Sequence, residues 1–100
     1  MLPLIDTHCH LHAGLDDGPR DWEEAVEMCR IGWQDGVGAV AATAHQNPSW
    51  PGATSAQIRA STRELQTRLH QARIPLDVYA CGEVMIGPEL LDDWTAGRLM

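Results

Sequence analysis

The sequence is organised around residues 4–17, LIDTHCHLHAGLDD, where most of its metal-ligating side chains lie. After two apolar residues, Asp6, His8 and His10 recur at every second position. Alternate side chains of a β-strand point to the same face, so we expect these three to lie together, joined by His12 if the strand continues that far. Two imidazoles at this spacing can chelate one divalent ion, and a carboxylate two residues earlier can bind the ion or orient a ring.

A short turn adds oxygen ligands directly after these nitrogen ligands. It is the segment GLDDG, residues 14–18, which carries Asp16 and Asp17. The alternative is an ordinary half-buried strand whose histidines alternate by chance. However, three of the five histidines fall within five residues, beside three carboxylates, and such clustering of His and Asp is what a metal site requires. The stretch therefore predicts a divalent-metal site.

Composition narrows the class of protein. A chain of 100 residues with 44% hydrophobic residues fits one small globular domain. The net charge is −7, and arginine is the only strong cation because the sequence contains no lysine. Without a basic patch, binding to nucleic acid or attachment to an anionic membrane is not expected.

The cysteines indicate the compartment. Cys9, Cys29 and Cys81 are odd in number, widely spaced and without a CxxC pair, which predicts reduced thiols rather than a disulfide framework. The N-terminus lacks the features of a signal peptide, and no apolar run is long enough for a membrane-spanning helix. We therefore expect a cytoplasmic protein. Cys9 should point away from the metal and into the core.

Strands and helices alternate along the chain. Asp21, with Glu24 three positions later, forms the capping-box pattern that starts a helix. The segment VGAVAAT is short, apolar and rich in small residues, as expected for a strand that is covered on both faces. The predicted strands are the opening stretch, 37–43 and 75–81. The predicted helices are 22–35, a second helix that is capped by Thr54 or Ser55 and reaches to about residue 72, and 88–96.

A candidate ligand lies at the end of each predicted strand: His8 and His10, then His45, then Glu83. The order βαβαβα, with helices long enough for crossovers, predicts the α/β class with a parallel sheet. Because parallel α/β folds place their sites at the carboxyl ends of strands, we expect these side chains to converge. The ordinary alternatives are a strand-capping role for His45 and a surface turn for Glu83.

The open sheet predicts a larger assembly. Three βα units cannot close a barrel, and their sheet leaves an edge exposed. The sequence stops after a helix, at Met100, where a fourth strand would be expected. We therefore expect residues 1–100 to be the first portion of a larger fold, or to need a partner such as a second copy at that edge.

Four motifs occur in order along the chain: IDTHCH, GLDDG followed by RDWEEA, AATAH and CGEV. In their order and spacing they resemble the N-terminal part of a PHP (polymerase and histidinol phosphatase) domain, most closely the manganese-dependent protein-tyrosine phosphatases of bacterial capsule synthesis. The resemblance covers essentially the whole chain. D-x-H-x-H alone is shared with amidohydrolases, whereas GLDDG and a helix after it are specific to the phosphatase branch.

The resemblance implies the first three βα units of a distorted (β/α)7 barrel that holds two or three divalent ions, Mn²⁺ or else Fe or Zn²⁺. His8 and His10 would bind one ion, Glu83 would bridge two ions, and His45 would bind another. Asp6 would lie behind the first pair as a supporting catalytic carboxylate.

Three further residues follow from the resemblance or from their position. The resemblance places Arg20 and Asp17 near the mouth of the site, Arg20 as a catalytic candidate and Asp17 as a substrate-binding one. Trp50 lies in the loop after the second strand and can stack on a substrate tyrosine ring, with plain packing as the alternative.

The implied activity is hydrolysis of phosphotyrosine on a protein, for example a bacterial tyrosine kinase that controls polysaccharide export. Two departures bear on this activity. Residues 43–46 read Thr-Ala-His-Gln where the family usually has Thr-Pro-His-His. The resemblance also implies that the family's later ligands and phosphate-binding arginines would lie beyond Met100. Two other functions stay open: a phosphatase of histidinol phosphate or another small phosphoester, and a non-catalytic protein that binds metal or the kinase.

Overall fold

The computed structural model describes residues 2–100, which form a parallel sheet with helices in its crossover connections. The strands are β1 (Leu4–His10), β2 (Val37–Gln46) and β3 (Asp77–Val84), and the helices are α1 (Trp22–Gln34), α2 (Ser55–Gln71) and α3 (Leu90–Thr95). The strand order is β1-β2-β3, and both neighbouring pairs are parallel. The predicted βαβαβα order and the parallel α/β class are therefore confirmed.

Side-chain caps define where the two longer helices begin. The Asp21 carboxylate accepts a hydrogen bond from the Glu24 N–H at 2.8 Å, as the capping-box pattern predicts. The Thr54 hydroxyl accepts one from the Gln57 N–H at 3.2 Å at the start of α2. Each such cap contributes about 1 kcal/mol to stability. Beyond the end of α1, Gly36 adopts a φ of +100°, which favours glycine.

The core lies between the sheet and the two longer helices. Val40 and Ala42 of β2 are buried on the face that α1 and α2 cover, so the intervening residues of β2 point to the opposite face. Ala25 and Cys29 of α1 lie in the same cluster. Its other buried members come from α2, from β3 and from the segments beside the strands: Leu11, Leu65, Leu69, Ile74, Leu76 and Val78.

The thiols behave as the sequence predicts. Cys9 packs against the core cluster, and Cys9, Cys29 and Cys81 are all free in the described part of the chain. Burial raises the pKa of the Cys29 thiol to about 12, with a smaller effect from nearby Cys9. Within residues 2–100, the helices are too short or too polar to span a bilayer.

Several predicted boundaries are wrong by a few residues. β2 runs to Gln46 rather than Thr43, and β3 runs to Val84 rather than residue 81, because the ladder between them continues through the pair Gln46 and Val84. β3 also begins later, at Asp77, since Pro75 has no N–H to donate to a ladder. The last helix covers only Leu90–Thr95, and Glu89 before it makes no side-chain cap.

Candidate metal centre

Strand register brings the predicted ligands to one face of the sheet. His45 and Glu83 are direct partners across the β2–β3 ladder, so their side chains emerge side by side. His10 pairs with Thr43, which lies two positions before His45 on the same face of β2. The ring centroids of His10 and His45 are 4.5 Å apart as a result.

An irregularity in the pairing of β1 with β2 affects the direction of the His8 and His10 side chains. Asp6 pairs with Val40 and His10 with Thr43, so β1 has one more residue than β2 over this interval. Across the irregularity, the Nε2 atoms of His8 and His10 come within 3.2 Å of each other. Two ring nitrogens at this separation can share one cation.

The same irregularity corrects the expectation that Asp6 points with the histidines. Strict alternation would place Asp6 on their face, but the extra residue breaks the alternation between Asp6 and Cys9. The Asp6 carboxylate instead accepts a hydrogen bond from the backbone N–H of His8 at 3.0 Å. The structure therefore does not bring Asp6 into the ligand group.

The Glu83 carboxylate lies between two sets of imidazoles. Its Oε1 atom is 2.7 Å from His8 Nε2 and 3.5 Å from His10 Nε2. Its Oε2 atom is 2.7 Å from His45 Nδ1. One carboxylate on β3 thus faces nitrogen ligands from both β1 and β2, with a different oxygen toward each set.

Asp16 holds His10 and the backbone at His45 in position, a role that the sequence analysis did not predict. Its side chain is fully buried, and its Oδ2 atom accepts hydrogen bonds from His10 Nδ1 at 2.8 Å and from the backbone N–H of His45 at 2.9 Å. Its Oδ1 atom accepts from the Gly18 N–H at 3.0 Å. The sequence signal for this role is the Asp-x-Gly spacing, because an Asp side chain often accepts a hydrogen bond from the backbone N–H two residues later. Glycine fits at position 18, where a Cβ would lie 3.0 Å from the His10 carbonyl oxygen.

This pairing shifts the titration of both partners. Burial alone would lower the pKa of His10, but the hydrogen bonds and charges of Asp16 and Glu83 outweigh it, so the pKa of His10 is raised. Burial alone would raise the pKa of Asp16, but the N–H groups of His10, His45 and Gly18 outweigh it, so the pKa of Asp16 is lowered. Asp16 therefore keeps a proton on Nδ1 of His10 and leaves Nε2 for a ligand.

The donor atoms fit divalent cations. Two sets have all their donor atoms within 4.8 Å of one another: His8, His10 and Glu83, and His10, Asp16, Asp17 and His45. Asp17 is mostly exposed, and its Oδ1 atom lies 3.2 Å from His45 Nε2. Since Asp16 already accepts three N–H bonds, we expect it to orient His10 while Asp17 offers its oxygen to an ion. Imidazole nitrogens among carboxylates are ligands of the kind that Mn²⁺, Fe and Zn²⁺ take.

His12 lies outside the ligand group because β1 ends at His10. It is completely buried, and its Nε2 atom is 2.8 Å from the Ala42 carbonyl oxygen, which can only accept, so Nε2 carries the proton. Nδ1 must then accept from the Ser61 hydroxyl at 2.7 Å. His12 thereby connects the loop after β1 to β2 and α2, and no spacing in the sequence signals this pairing.

The remaining candidates lie at different distances from the centre. The exposed Arg20 guanidinium pairs with Glu24 on α1 at 3.3 Å, and within residues 2–100 it makes no recorded contact with the ligand group. The Trp50 ring stacks on His45, with ring centroids 6.4 Å apart and planes inclined by 15°. Trp50 also lines a cavity of about 400 Å³ beside the ligands, together with Asp17, His45, Asn47, Ser49, Glu83, Val84 and Met85.

The fold and the side-chain geometry define a parallel α/β protein with a candidate divalent-metal centre at the carboxyl ends of its strands. The profile of the capsular polysaccharide synthesis family CpsB/CapC matches residues 4–100. The chain therefore belongs to the CpsB/CapC family.

Related proteins have been named for an activity. The chain is 32% identical over 97 residues to tyrosine-protein phosphatase YwqE of Bacillus subtilis strain 168. This alignment covers 97% of the chain and 38% of YwqE. It is 22% identical over 89 residues to CapC of Staphylococcus aureus, which covers 89% of this chain and 35% of CapC. The chain thus spans less than two fifths of the length of these relatives.

A solved structure shares the fold. It comes from work on YwqE from Bacillus subtilis and CpsB from Streptococcus pneumoniae, described as metal-dependent tyrosine phosphatases. It superposes with a TM-score of 0.91 at 32% identity, over 97% of this chain and 39% of that chain.

Proposed function

We propose that the chain forms the metal centre of a phosphoric monoester hydrolase that acts on phosphotyrosine in proteins. The observation that carries the proposal is the Glu83 carboxylate, which contacts His8 through one oxygen and His45 through the other. A carboxylate in this position is suited to bridge two ions. Membership of the CpsB/CapC family and the activity named for YwqE support the same reading.

The donor sets suggest how the ions would be held. His8, His10 and Oε1 of Glu83 would hold one ion. His45 Nδ1 and Oε2 of Glu83 would hold a second ion, and Asp17 faces the other ring nitrogen of His45. We propose Mn²⁺ among the ions that such ligands accept. When bound, these ions polarise phosphoryl oxygens and supply hydroxide at neutral pH.

Residues of the chain itself prepare the site for such a substrate. Asp16 keeps the His10 ring in the orientation that points Nε2 at Glu83. The cavity beside the ligands places Trp50 and Met85 near the acidic and imidazole side chains, so a flat apolar ring and a phosphate could be held at once. Within residues 2–100, the cavity lining contains no arginine or lysine, so the cations would balance the phosphate charge.

The substrate and setting are also proposals. We propose a phosphotyrosine protein, such as a bacterial tyrosine kinase of polysaccharide export, as the substrate. The free thiols support a reducing compartment such as the cytoplasm. β1 and β3 both form edges of the sheet, which supports the prediction that residues 1–100 are the first part of a distorted (β/α)7 barrel or that a second copy covers an edge.

A substrate comparison tests the proposal. The chain, supplied with Mn²⁺, is given a phosphotyrosyl peptide and histidinol phosphate side by side. We expect faster hydrolysis of the peptide, lost with a chelator and in Glu83→Gln but kept in Glu64→Gln, a matched change on the exposed side of α2. Preference for histidinol phosphate would contradict the assignment. Metal binding without turnover of either compound would favour the non-catalytic alternative, which the lack of a cationic side chain in the cavity lining also motivates.

A further inference from the structure

A second cavity lies beside the cavity at the ligands. It has a volume of about 430 Å³, within the range of about 300–1,000 Å³ that is common for ligand sites. Its walls come from the end of β2 and the loop after it, the first turn of α2, and α3 with the segment after it. We call it the flanking cavity, and its residues are Gln46, Asn47, Pro48, Trp50, Pro51, Ala53, Thr54, Ser55, Ala56, Asp93, Arg98 and Leu99.

Hydrogen bonds hold the walls of the flanking cavity in place. The Gln46 side chain donates to the Arg98 carbonyl oxygen at 3.3 Å and accepts from the Met100 N–H at 3.0 Å. The Ser55 hydroxyl donates to the same Arg98 carbonyl at 2.7 Å. These bonds tie the end of β2 and the start of α2 to the segment after α3, so the cavity is formed before any ligand binds.

The chemistry of the flanking cavity favours an uncharged apolar group. Proline, tryptophan, alanine and leucine side chains form much of its surface. Its two charged side chains, Arg98 and Asp93, pair with each other at 2.8 Å, so their opposite charges offset each other. A charged ligand group that entered this cavity without a partner would incur a large cost of desolvation. An aliphatic side chain would incur no such cost and would gain free energy from burial of its apolar surface.

The two cavities are adjacent and share two lining residues. Asn47 and Trp50 line both of them, so the Trp50 ring forms part of the wall between the ligand side and the flanking side. In an extended peptide, side chains two residues apart lie about 7 Å from each other. A peptide that places its phosphotyrosine beside His45 can therefore place a neighbouring side chain across Trp50.

We propose that the flanking cavity binds an uncharged apolar side chain one or two residues from the phosphotyrosine of a polypeptide substrate. The proposal rests on the proposed function and adds a sequence preference to it. The cavity at the ligands is lined by residues that follow the carboxyl ends of β2 and β3, and the flanking cavity by residues that follow β2. Parallel α/β proteins bind their ligands at this end of the sheet.

A binding experiment tests the preference. Fluorescein-labelled peptides carry phosphonomethyl-phenylalanine, a phosphotyrosine analogue that cannot be hydrolysed, in an alanine background, with one leucine at each of the two positions on either side. Anisotropy is measured with the Mn²⁺-loaded chain. We expect one leucine position to tighten binding about tenfold, which is within what burial of a leucine can supply.

Two matched variants locate the effect. Ala56 lines the flanking cavity on the exposed first turn of α2, and Ala60 lies about one turn later on the same helix, exposed and outside the lining. Ala56→Trp should fill the cavity and abolish the leucine preference, while leaving the affinity for Mn²⁺ and for the all-alanine peptide unchanged. Ala60→Trp should keep the preference.

Each other outcome overturns the inference in a recognisable way. Equal binding of leucine and alanine peptides, with the phosphonate still required, refutes the flanking cavity but leaves the proposed function intact. Mn²⁺ binding without any phosphonate-dependent peptide binding refutes both. A leucine preference that does not depend on the phosphonate would mean that the flanking cavity binds apolar peptides without phosphotyrosine. Self-association of the chain that Ala56→Trp abolishes would mean that a second copy occupies the cavity.

Discussion

Asp16 gives the sharpest test of how the centre is built. Both of its carboxylate oxygens accept N–H bonds: Oδ2 from His10 and the His45 backbone, Oδ1 from Gly18. Asp16→Asn must turn its NH₂ group toward one of these donors, so at least one hydrogen bond becomes a contact between two donors. The charge that strengthens the remaining bonds is also lost.

The size of the effect follows from burial. The Asp16 side chain is fully buried, so water cannot replace the lost partner. A hydrogen bond to a charged group contributes about 1.5–3 kcal/mol, and we expect Asp16→Asn to lower the free energy of unfolding by about 3 kcal/mol. For a domain of this size, that corresponds to a fall in Tm of roughly 12–24 °C.

Urea and thermal unfolding of the metal-free chain, followed by circular dichroism, measure the change. Asp17→Asn is the matched control, because the Asp17 side chain is 61% exposed. We expect that variant to stay within about 0.5 kcal/mol of the wild type. A loss of stability in Asp16→Asn no larger than that in Asp17→Asn would refute the role assigned to Asp16.

Three more predictions concern other residues. Burial lowers the pKa of His12, so its imidazole takes up a proton more readily in the unfolded chain, and the free energy of unfolding falls as the pH drops below about 6.5. His12→Gln should flatten this pH dependence of the free energy of unfolding, measured by urea titration, and an unchanged pH dependence would contradict the prediction. Since burial raises the pKa of Cys29 to about 12, a disulfide reagent at mildly alkaline pH should leave Cys29 unmodified in the folded chain, as mass spectrometry of tryptic peptides can show; modification without unfolding would be inconsistent with its burial. Trp50→Ala should weaken binding of the phosphonate peptide about tenfold with unchanged Mn²⁺ affinity, whereas equal affinity would leave Trp50 a packing residue.

The order of elements and the convergence of ligands were predictable because they depend on local patterns. Capping at Asp21 and strand-end placement of His45 and Glu83 follow from spacing along the chain. The direct pairing of His45 with Glu83 follows once β2 and β3 are parallel neighbours in the observed register. Strand ends were predicted early because Gln46 and Glu83 are polar, while a ladder can continue through polar residues wherever its backbone groups find partners.

The features that could not be predicted depend on contacts distant in sequence or on a local break in periodicity. The extra residue in β1 removes Asp6 from the ligand face, and alternation gives no sign of it. The bond between His12 and Ser61 joins residues 49 positions apart. The sequence indicates Asp16 as a possible oxygen ligand for a metal. Its hydrogen bond from the backbone N–H of His45 could not be predicted, because it forms only when β1 and β2 lie side by side.

We expect His8, His10, His45 and Glu83 to form one centre for divalent ions. Isothermal titration of the metal-free chain with Mn²⁺ measures this binding, with Glu83→Gln and the surface variant Glu64→Gln titrated in parallel. We expect the wild type and Glu64→Gln to bind Mn²⁺ alike, and Glu83→Gln to bind at least about tenfold more weakly, a difference of about 1.4 kcal/mol. Equal binding by Glu83→Gln and the wild type, or no binding by the wild type, would show that these four side chains do not form such a centre.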